Sequence, residues 1–81
     1  MTTEYIIVDA SVKSVNAQNA IEEGLLYTAE TKWCRKLNLA TKCTDTDSAI
    51  KVAKELNQEL PVKILMLQTE GNRIGVGEVK F

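Results

Sequence analysis

The sequence predicts a small α+β domain in which one helix packs on one face of an antiparallel sheet of about four or five strands, in the order ββ(β)αββ. Three observations lead to this prediction. A capped amphipathic helix is indicated between Thr44 and Pro61, a strand that is apolar on both faces follows it directly, and a glycine-containing turn leads into a final strand. A chain of 81 residues is expected to form a single domain, 1–81, with room for one helix layer on one sheet.

The first strand is expected between Thr3 and Val12, because apolar residues recur there with the period of two that a strand imposes. The residues from Lys13 to Asn19 are typical of turns and loops. Ala17 to Glu23 is compatible with a helical turn or with a loop that ends at Gly24, and the sequence leaves these alternatives open. In the strand, one face would carry Ile6, Val8, Ala10 and Val12, and the other Tyr5 and Ile7.

Two further extended segments are expected before the helix. Alternation resumes from Leu25 to Lys32, and Trp33 to Arg35 continues extended after a turn near Glu30 to Lys32. In the first of these segments, Leu25, Tyr27 and Ala29 would lie opposite Leu26, Thr28 and Glu30.

The helix prediction depends on apolar residues spaced three and four positions apart, which share one helix face. The polar run from Thr44 to Ser48 offers side-chain oxygens to the unpaired N–H groups of a first turn, so the helix is expected to begin near Asp45 or Thr46. Pro61 disfavours helical geometry at Leu60, so the helix is expected to end there. The apolar face would consist of Ala49, Val52, Ala53, Leu56 and Leu60, widened by Ile50.

The last two strands are predicted to form a hairpin. Val62 to Thr69 is apolar on both faces, as in an inner strand, and Glu70 to Asn72 is a turn signal before Arg73 to Phe81. In the last strand the apolar residues switch from one face of the strand to the other between Val76 and Val79. We therefore expect an edge strand with a bulge or a strong twist at Gly75 and Gly77.

A single helix would leave the second face of this sheet uncovered. The two faces of the inner strands both carry large apolar residues, and soluble monomers rarely expose contiguous apolar patches of more than a few hundred Å². A protein partner, including a second copy of the chain, is therefore expected on that face. The alternative is that Tyr27, Trp33 and the segment from Lys13 to Gly24 fold over it as a lid.

Catalytic chemistry is not indicated, and we expect a protein that is not an enzyme and has no cofactor. The chain has no histidine, which removes the commonest general base and the commonest zinc ligand. Cys34 and Cys43 are nine positions apart with no second pair, so no metal site is expected. Asp45 and Asp47 are interpreted as helix-capping residues. Without a signal peptide or an apolar span, a cytoplasmic protein with reduced thiols and no membrane partner is expected.

The only charge asymmetry lies between Thr31 and Thr44, where four basic residues and one tryptophan occur without an acid, in a chain of net charge −1. Three interpretations stay open. The segment is a solvated sheet edge with Trp33 partly in the core, a protein interface, or, with less weight, a site for single-stranded nucleic acid. The candidate partner-binding residues are Lys32, Trp33, Arg35 and Lys36, with Tyr5 and Ile7 from the sheet face.

The stretch from Trp33 to Thr69 resembles small αβ proteins encoded by bacteriophages and mobile elements. The strand with Trp33, the run Asn38 to Lys42, the acidic cap, the helix at Ala49 to Ala53 and the following hairpin carry the resemblance. Some of those proteins are anti-CRISPR or other anti-defence inhibitors. The resemblance implies a non-enzymatic protein that occludes a surface of a bacterial protein in the host cytoplasm. The alternatives are a nucleic-acid-binding module using Lys32 to Lys42, and a homodimeric structural or accessory protein.

Overall fold

The computed structural model describes residues 2–12 and 25–81. Within them the chain forms five strands and one α-helix, and every strand pairing is antiparallel, in the spatial order β3-β2-β1-β4-β5. This confirms the predicted α+β class. The segment from Lys13 to Gly24 lies outside the described residues. The elements are β1 (Thr2–Asp9), β2 (Leu26–Thr28), β3 (Lys32–Cys34), a 3₁₀ turn (Leu37–Leu39), α1 (Thr46–Leu56), β4 (Val62–Glu70) and β5 (Arg73–Val79).

The centre of the sheet is the pair formed by β1 and β4, whose ladder runs from Thr2 opposite Thr69 to Asp9 opposite Val62. Successive side chains of a strand point to opposite faces, so neighbouring pairs belong to different layers. Ile7 lies opposite Ile64 on the face that meets the helix, and both are at most 1% exposed. The next pair, Ile6 and Leu65, lies on the other face and is at most 3% exposed.

The helix begins as the sequence predicts. Asp45 has extended backbone and is the N-cap, and its Oδ1 accepts a hydrogen bond from the Ser48 N–H at 2.7 Å. The helix ends four residues before the predicted limit at Leu60, so that boundary is wrong. Asn57 is the C-cap, and its side-chain oxygen accepts the Val62 N–H at 3.2 Å, at the start of the next strand.

The layer between helix and sheet is a single apolar cluster. Ala49 and Ala53 are fully buried and let the helix approach the sheet closely, because they present only methyl groups. Of the predicted apolar helix face, Ala49, Ala53 and Leu56 are buried, with Ile50 and Val52 half-buried at its margin. Leu60 lies beyond the end of the helix and is not part of this face. The buried members of this helix-side cluster are Ile7, Ala49, Ala53, Leu56, Val62 and Ile64.

The opposite face of the sheet is also buried, so the expectation of an uncovered apolar face is wrong. Val12, beyond the end of β1, and Ala40, beyond the 3₁₀ turn, belong to the apolar cluster on that side. Tyr27 and Trp33, considered as a lid for this face, pack against the helix-side cluster instead. The far-side cluster consists of Ile6, Val8, Val12, Leu26, Ala40, Leu65 and Leu67, none more than 6% exposed.

The final hairpin has the predicted turn and the predicted edge position. Gly71 adopts φ 59° in the two-residue turn, a left-handed conformation that glycine tolerates best. The β4–β5 register is continuous from Glu70 opposite Arg73 to Ile64 opposite Val79, so of the two predicted alternatives, a bulge or a strong twist, the bulge is absent from this strand. The change of apolar parity is accommodated because Ile74 packs on the far-side cluster and Val79 on the helix-side cluster.

Replacement of Leu67 by alanine tests the burial of the far face. Leu67 is 3% exposed in the far-side cluster, and we expect the substitution to lower the free energy of unfolding by about 2 to 5 kcal/mol. Leu39→Ala is the matched control, because Leu39 is 58% exposed and its loss should change stability by less than about 0.5 kcal/mol. Urea denaturation measures both. Equal, small effects would show that Leu67 faces solvent.

Removal of the helix cap should also be measurable. Asp45→Ala deletes the acceptor of the Ser48 N–H, and we expect a loss of about 1 kcal/mol of stability in urea denaturation. Asp45→Asn keeps an oxygen acceptor and should cost much less, because asparagine caps helices about as well as aspartate. If the two variants lose the same stability, the charge rather than the hydrogen bond is what matters at this position.

Candidate functional site

The hairpin of β2 and β3 positions the only tryptophan of the chain. Tyr27 and Trp33 are opposite each other in the register, and their rings meet edge to face with centroids 6.5 Å apart and an interplanar angle of 86°. Both rings are half-buried against the helix-side cluster. Edge-to-face aromatic pairs add about 0.5 to 1.5 kcal/mol beyond burial, so this contact anchors the hairpin and leaves one side of Trp33 accessible.

Beyond Trp33 the chain presents two cations and one apolar side chain to solvent. Arg35 and Lys36 are exposed and form no ion pair with any residue that the structure describes. The Lys36 carbonyl accepts the Leu39 N–H at 3.1 Å, which places Leu39 one tight turn away. Leu39 is 58% exposed, the largest exposure among the bulky apolar residues described. We call Trp33, Arg35, Lys36 and Leu39 the β3-edge surface.

The other two basic residues of this segment are engaged within the chain. The Lys32 ammonium group forms a hydrogen-bonded ion pair with the Glu59 carboxylate, which follows the end of α1. The Lys42 Nζ lies 3.4 Å from the Ala40 carbonyl oxygen, to which it donates. The four basic residues of this segment therefore differ in their contacts. Only the side chains of Arg35 and Lys36 have no partner among the described residues.

Lys32 has a second unusual property, since its φ of 73° lies in the left-handed region. It closes the loop of residues 29–31 and pairs with Thr28. A lysine rarely adopts this conformation, which costs an L-residue roughly 1 to 2 kcal/mol. The ion pair with Glu59 ties the strained loop to the helix end.

An open groove of about 510 Å³ lies between this loop and the last turn of α1. Three of its side chains are acidic and one, Lys32, is basic and already paired with Glu59. Among the described residues, no three acidic or cysteine side chains come together as a metal site. The groove is lined by Tyr27, Thr28, Ala29, Glu30, Thr31, Lys32, Glu55, Leu56 and Glu59.

The two candidate residues from β1 are placed differently from the β3-edge surface. Ile7 is 1% exposed and lies in the helix-side cluster, so it offers no area to a partner in this conformation. Tyr5 is half-buried, and its backbone exchanges two hydrogen bonds of 2.8 Å with Cys43. The structure therefore brings Trp33, Arg35 and Lys36 together at one edge, and it leaves Tyr5 and Ile7 under the helix.

The two cysteines are separated by the sheet. Both are free thiols, Cys34 packing against the far-side cluster and Cys43 against the helix-side cluster. Burial, and then the nearby Asp45 carboxylate, raise the pKa of the Cys43 thiol. Because the thiolate is the reactive form, this environment makes Cys43 a weak nucleophile at neutral pH.

Sequence reasoning missed Leu39 and Glu59. Leu39 lies in the approach to the helix, where no periodicity indicates whether a leucine faces the core or solvent. Glu59 is separated by 27 positions from Lys32, so their contact depends on the docking of the hairpin against the helix end. No local signal in the sequence indicates either feature.

Comparisons with known proteins leave the family open. The chain matches no protein-family model, and neither curated proteins nor solved structures gave a significant match. No helix in the described ranges is long and apolar enough to cross a membrane.

Because Lys32 has a left-handed backbone conformation, we expect glycine to be more stabilising than alanine at this position, the reverse of the usual order in a strand. Lys32→Gly and Lys32→Ala both remove the ion pair with Glu59, so their difference reports the backbone alone. We expect the glycine variant to be more stable by about 1 kcal/mol, because glycine adopts a φ of 73° without a steric penalty. Thermal and urea denaturation measure the difference. In a regular strand alanine would be the more stable variant, and that order would contradict the loop geometry.

Proposed function

We propose that this chain is a non-enzymatic binding protein that inhibits or modulates a bacterial protein by occluding one of its functional surfaces. The observation that carries the proposal is the β3-edge surface, where an exposed leucine lies beside two cations that have no partner among the described residues. The lack of histidine in the sequence supports the non-enzymatic part. The resemblance to phage and mobile-element proteins is the sole support for the bacterial target.

The contacts that hold this surface in place favour a binding role over that of a sheet edge that only faces solvent. The Tyr27–Trp33 contact holds the hairpin from one side, and the Lys32–Glu59 ion pair holds its loop to the helix end. Arg35 follows this anchored hairpin directly in the chain, and Leu39 ends the 3₁₀ turn that comes next. Side chains on a preorganised backbone lose less entropy when a partner orders them.

The chemistry of the surface indicates its partner. Tryptophan and arginine are the residue types that most often carry interface energy, and an adjacent exposed leucine adds apolar area. Arg35 and Lys36 would attract an acidic patch and orient it before contact. We therefore expect the partner to present carboxylates beside an apolar depression.

Binding of nucleic acid is the second candidate and has less support. It requires Lys32 and Trp33 together with Arg35 and Lys36, but Lys32 is paired with Glu59. The groove beside them carries carboxylates that repel phosphate groups. Its signature would be an affinity that falls steeply with salt concentration.

Charge reversal tests the proposal. We expect the double variant Arg35→Glu, Lys36→Glu to keep the fold, because both side chains are exposed, and to weaken partner binding roughly tenfold or more. The matched control is Lys51→Glu, Lys54→Glu, which applies the same change of charge to the exposed side of the helix. Tagged wild-type and variant chains are compared in pull-downs from bacterial lysate, with and without nuclease, followed by calorimetry on the recovered partner.

Two outcomes would overturn the proposal. If the β3-edge variant binds the partner as tightly as the helix-face control, the surface has been assigned to the wrong place. If the recovered material is nucleic acid, or is lost after nuclease treatment, the second candidate replaces the first.

A further inference from the structure

The last strand of the sheet, β5, forms a long and regular edge. It is terminal in the strand order, and its seven residues pair with β4 without interruption. The opposite edge, β3, has three residues and is followed by the charged Arg35 and Lys36. Short and charged edges discourage strand pairing, and a long edge favours it. The two charged residues of β5, Arg73 and Glu78, lie near the ends of the strand. Gly75 and Val76, at the middle of β5, are both exposed.

The hydrogen-bond pattern shows which backbone groups of β5 point outward. Tyr5 uses its N–H and C=O to bond Cys43, away from β4, so its pair with Met66 is not a hydrogen-bonded one. Met66 therefore directs its backbone groups to its other neighbour, Gly77 of β5. Along a strand, the backbone N–H and C=O groups of successive residues point alternately to the two neighbouring strands. The residues of β5 that direct N–H and C=O groups away from β4 are accordingly Ile74, Val76 and Glu78.

We propose that this edge pairs with the same edge of a second copy of the chain, antiparallel and centred on Val76. In that register Val76 lies opposite Val76 of the second copy, and Ile74 lies opposite Glu78. All three outward residues then exchange both of their hydrogen bonds. A shift of the register by two positions either way would oppose one of them to Asn72 or to Lys80, which lie outside the strand. In the proposed register every outward residue is opposed by another residue of β5, so a second copy of the chain satisfies the whole edge.

The side chains permit the same register. On the helix side Gly75 lies opposite Gly77 of the second copy, so no side chain obstructs the approach, and Arg73 lies opposite Val79. On the far side the two Val76 side chains, each 41% exposed, come together across the symmetry axis. No like charges are opposed in any of these pairs.

The assembly would be one continuous sheet with five strands from each copy, and the β3-edge surfaces would lie at its two outer ends. Dimerisation through β5 therefore leaves the proposed partner surface free and does not depend on it. The homodimer considered as an alternative from the sequence used whichever sheet face the helix left uncovered. Both faces are buried, so this edge is a different interface.

The test is sedimentation velocity of the wild-type chain from micromolar to millimolar concentration, with Val76→Pro and Val76→Ala as the paired variants. Proline removes the outward N–H at the centre of the interface, a position where an edge strand tolerates it, and leaves the bonds to β4 in place. Alanine keeps the N–H. We expect the wild-type and alanine chains to double in mass with concentration, and the proline chain to stay monomeric or to dimerise at least tenfold more weakly.

Amide hydrogen exchange of the wild-type chain supplies a second readout that needs no variant. The amides of Ile74, Val76 and Glu78 should become protected as concentration rises, while the amide of Gly77, bonded to β4, should not change. A wild-type chain that stays monomeric at millimolar concentration overturns the proposal, as does a proline variant that dimerises like wild type. Protection of the three amides only by an added foreign peptide would assign the edge to another protein.

Discussion

The pairing of β1 with β4 is the constraint on which the rest of the structure depends. These two strands carry large apolar residues on both faces, and the sheet therefore requires cover on both sides. Ile7 and Ile64 meet Ala49 and Ala53 of the helix, while Ile6 and Leu65 lie in a second cluster with Val12 and Ala40. Since each buried aliphatic side chain contributes about 1.5 to 3 kcal/mol, neither layer is dispensable in a domain of this size.

Because both sheet faces are buried, the surfaces proposed for binding lie at the edges of the sheet. The β3 edge presents Arg35, Lys36 and Leu39 on an anchored hairpin, and the β5 edge presents a regular row of backbone donors and acceptors. The two edges are chemically different. The first presents two cations and would make contact through side chains. The second, whose Arg73 and Glu78 lie near its ends, would make contact through the backbone. Their separation across the sheet allows both to be occupied at once.

Much of the fold could be predicted because its signals are local. Strand alternation, the cap at Asp45 and the turn at Gly71 depend on residues close in sequence. The predictions that failed depend on distant contacts. The far face, for example, is buried partly because Ala40 returns across it. At the candidate site, the sequence identified the basic residues and Trp33. It could not indicate that Lys32 is paired with Glu59, because hairpin docking brings them together.

The central claim is that both sheet faces are closed and the edges are open. Methyl-labelled protein exposed to a soluble paramagnetic probe in an NMR experiment tests it most directly, because signal loss reports the approach of solvent to each methyl group. We expect the methyl signals of Ile6, Leu65 and Leu67 to persist and those of Leu39 and Val76 to broaden, following their exposures. Broadening of Ile6 and Leu67 to the same extent as Leu39 would mean that the far face is open, and would contradict the account.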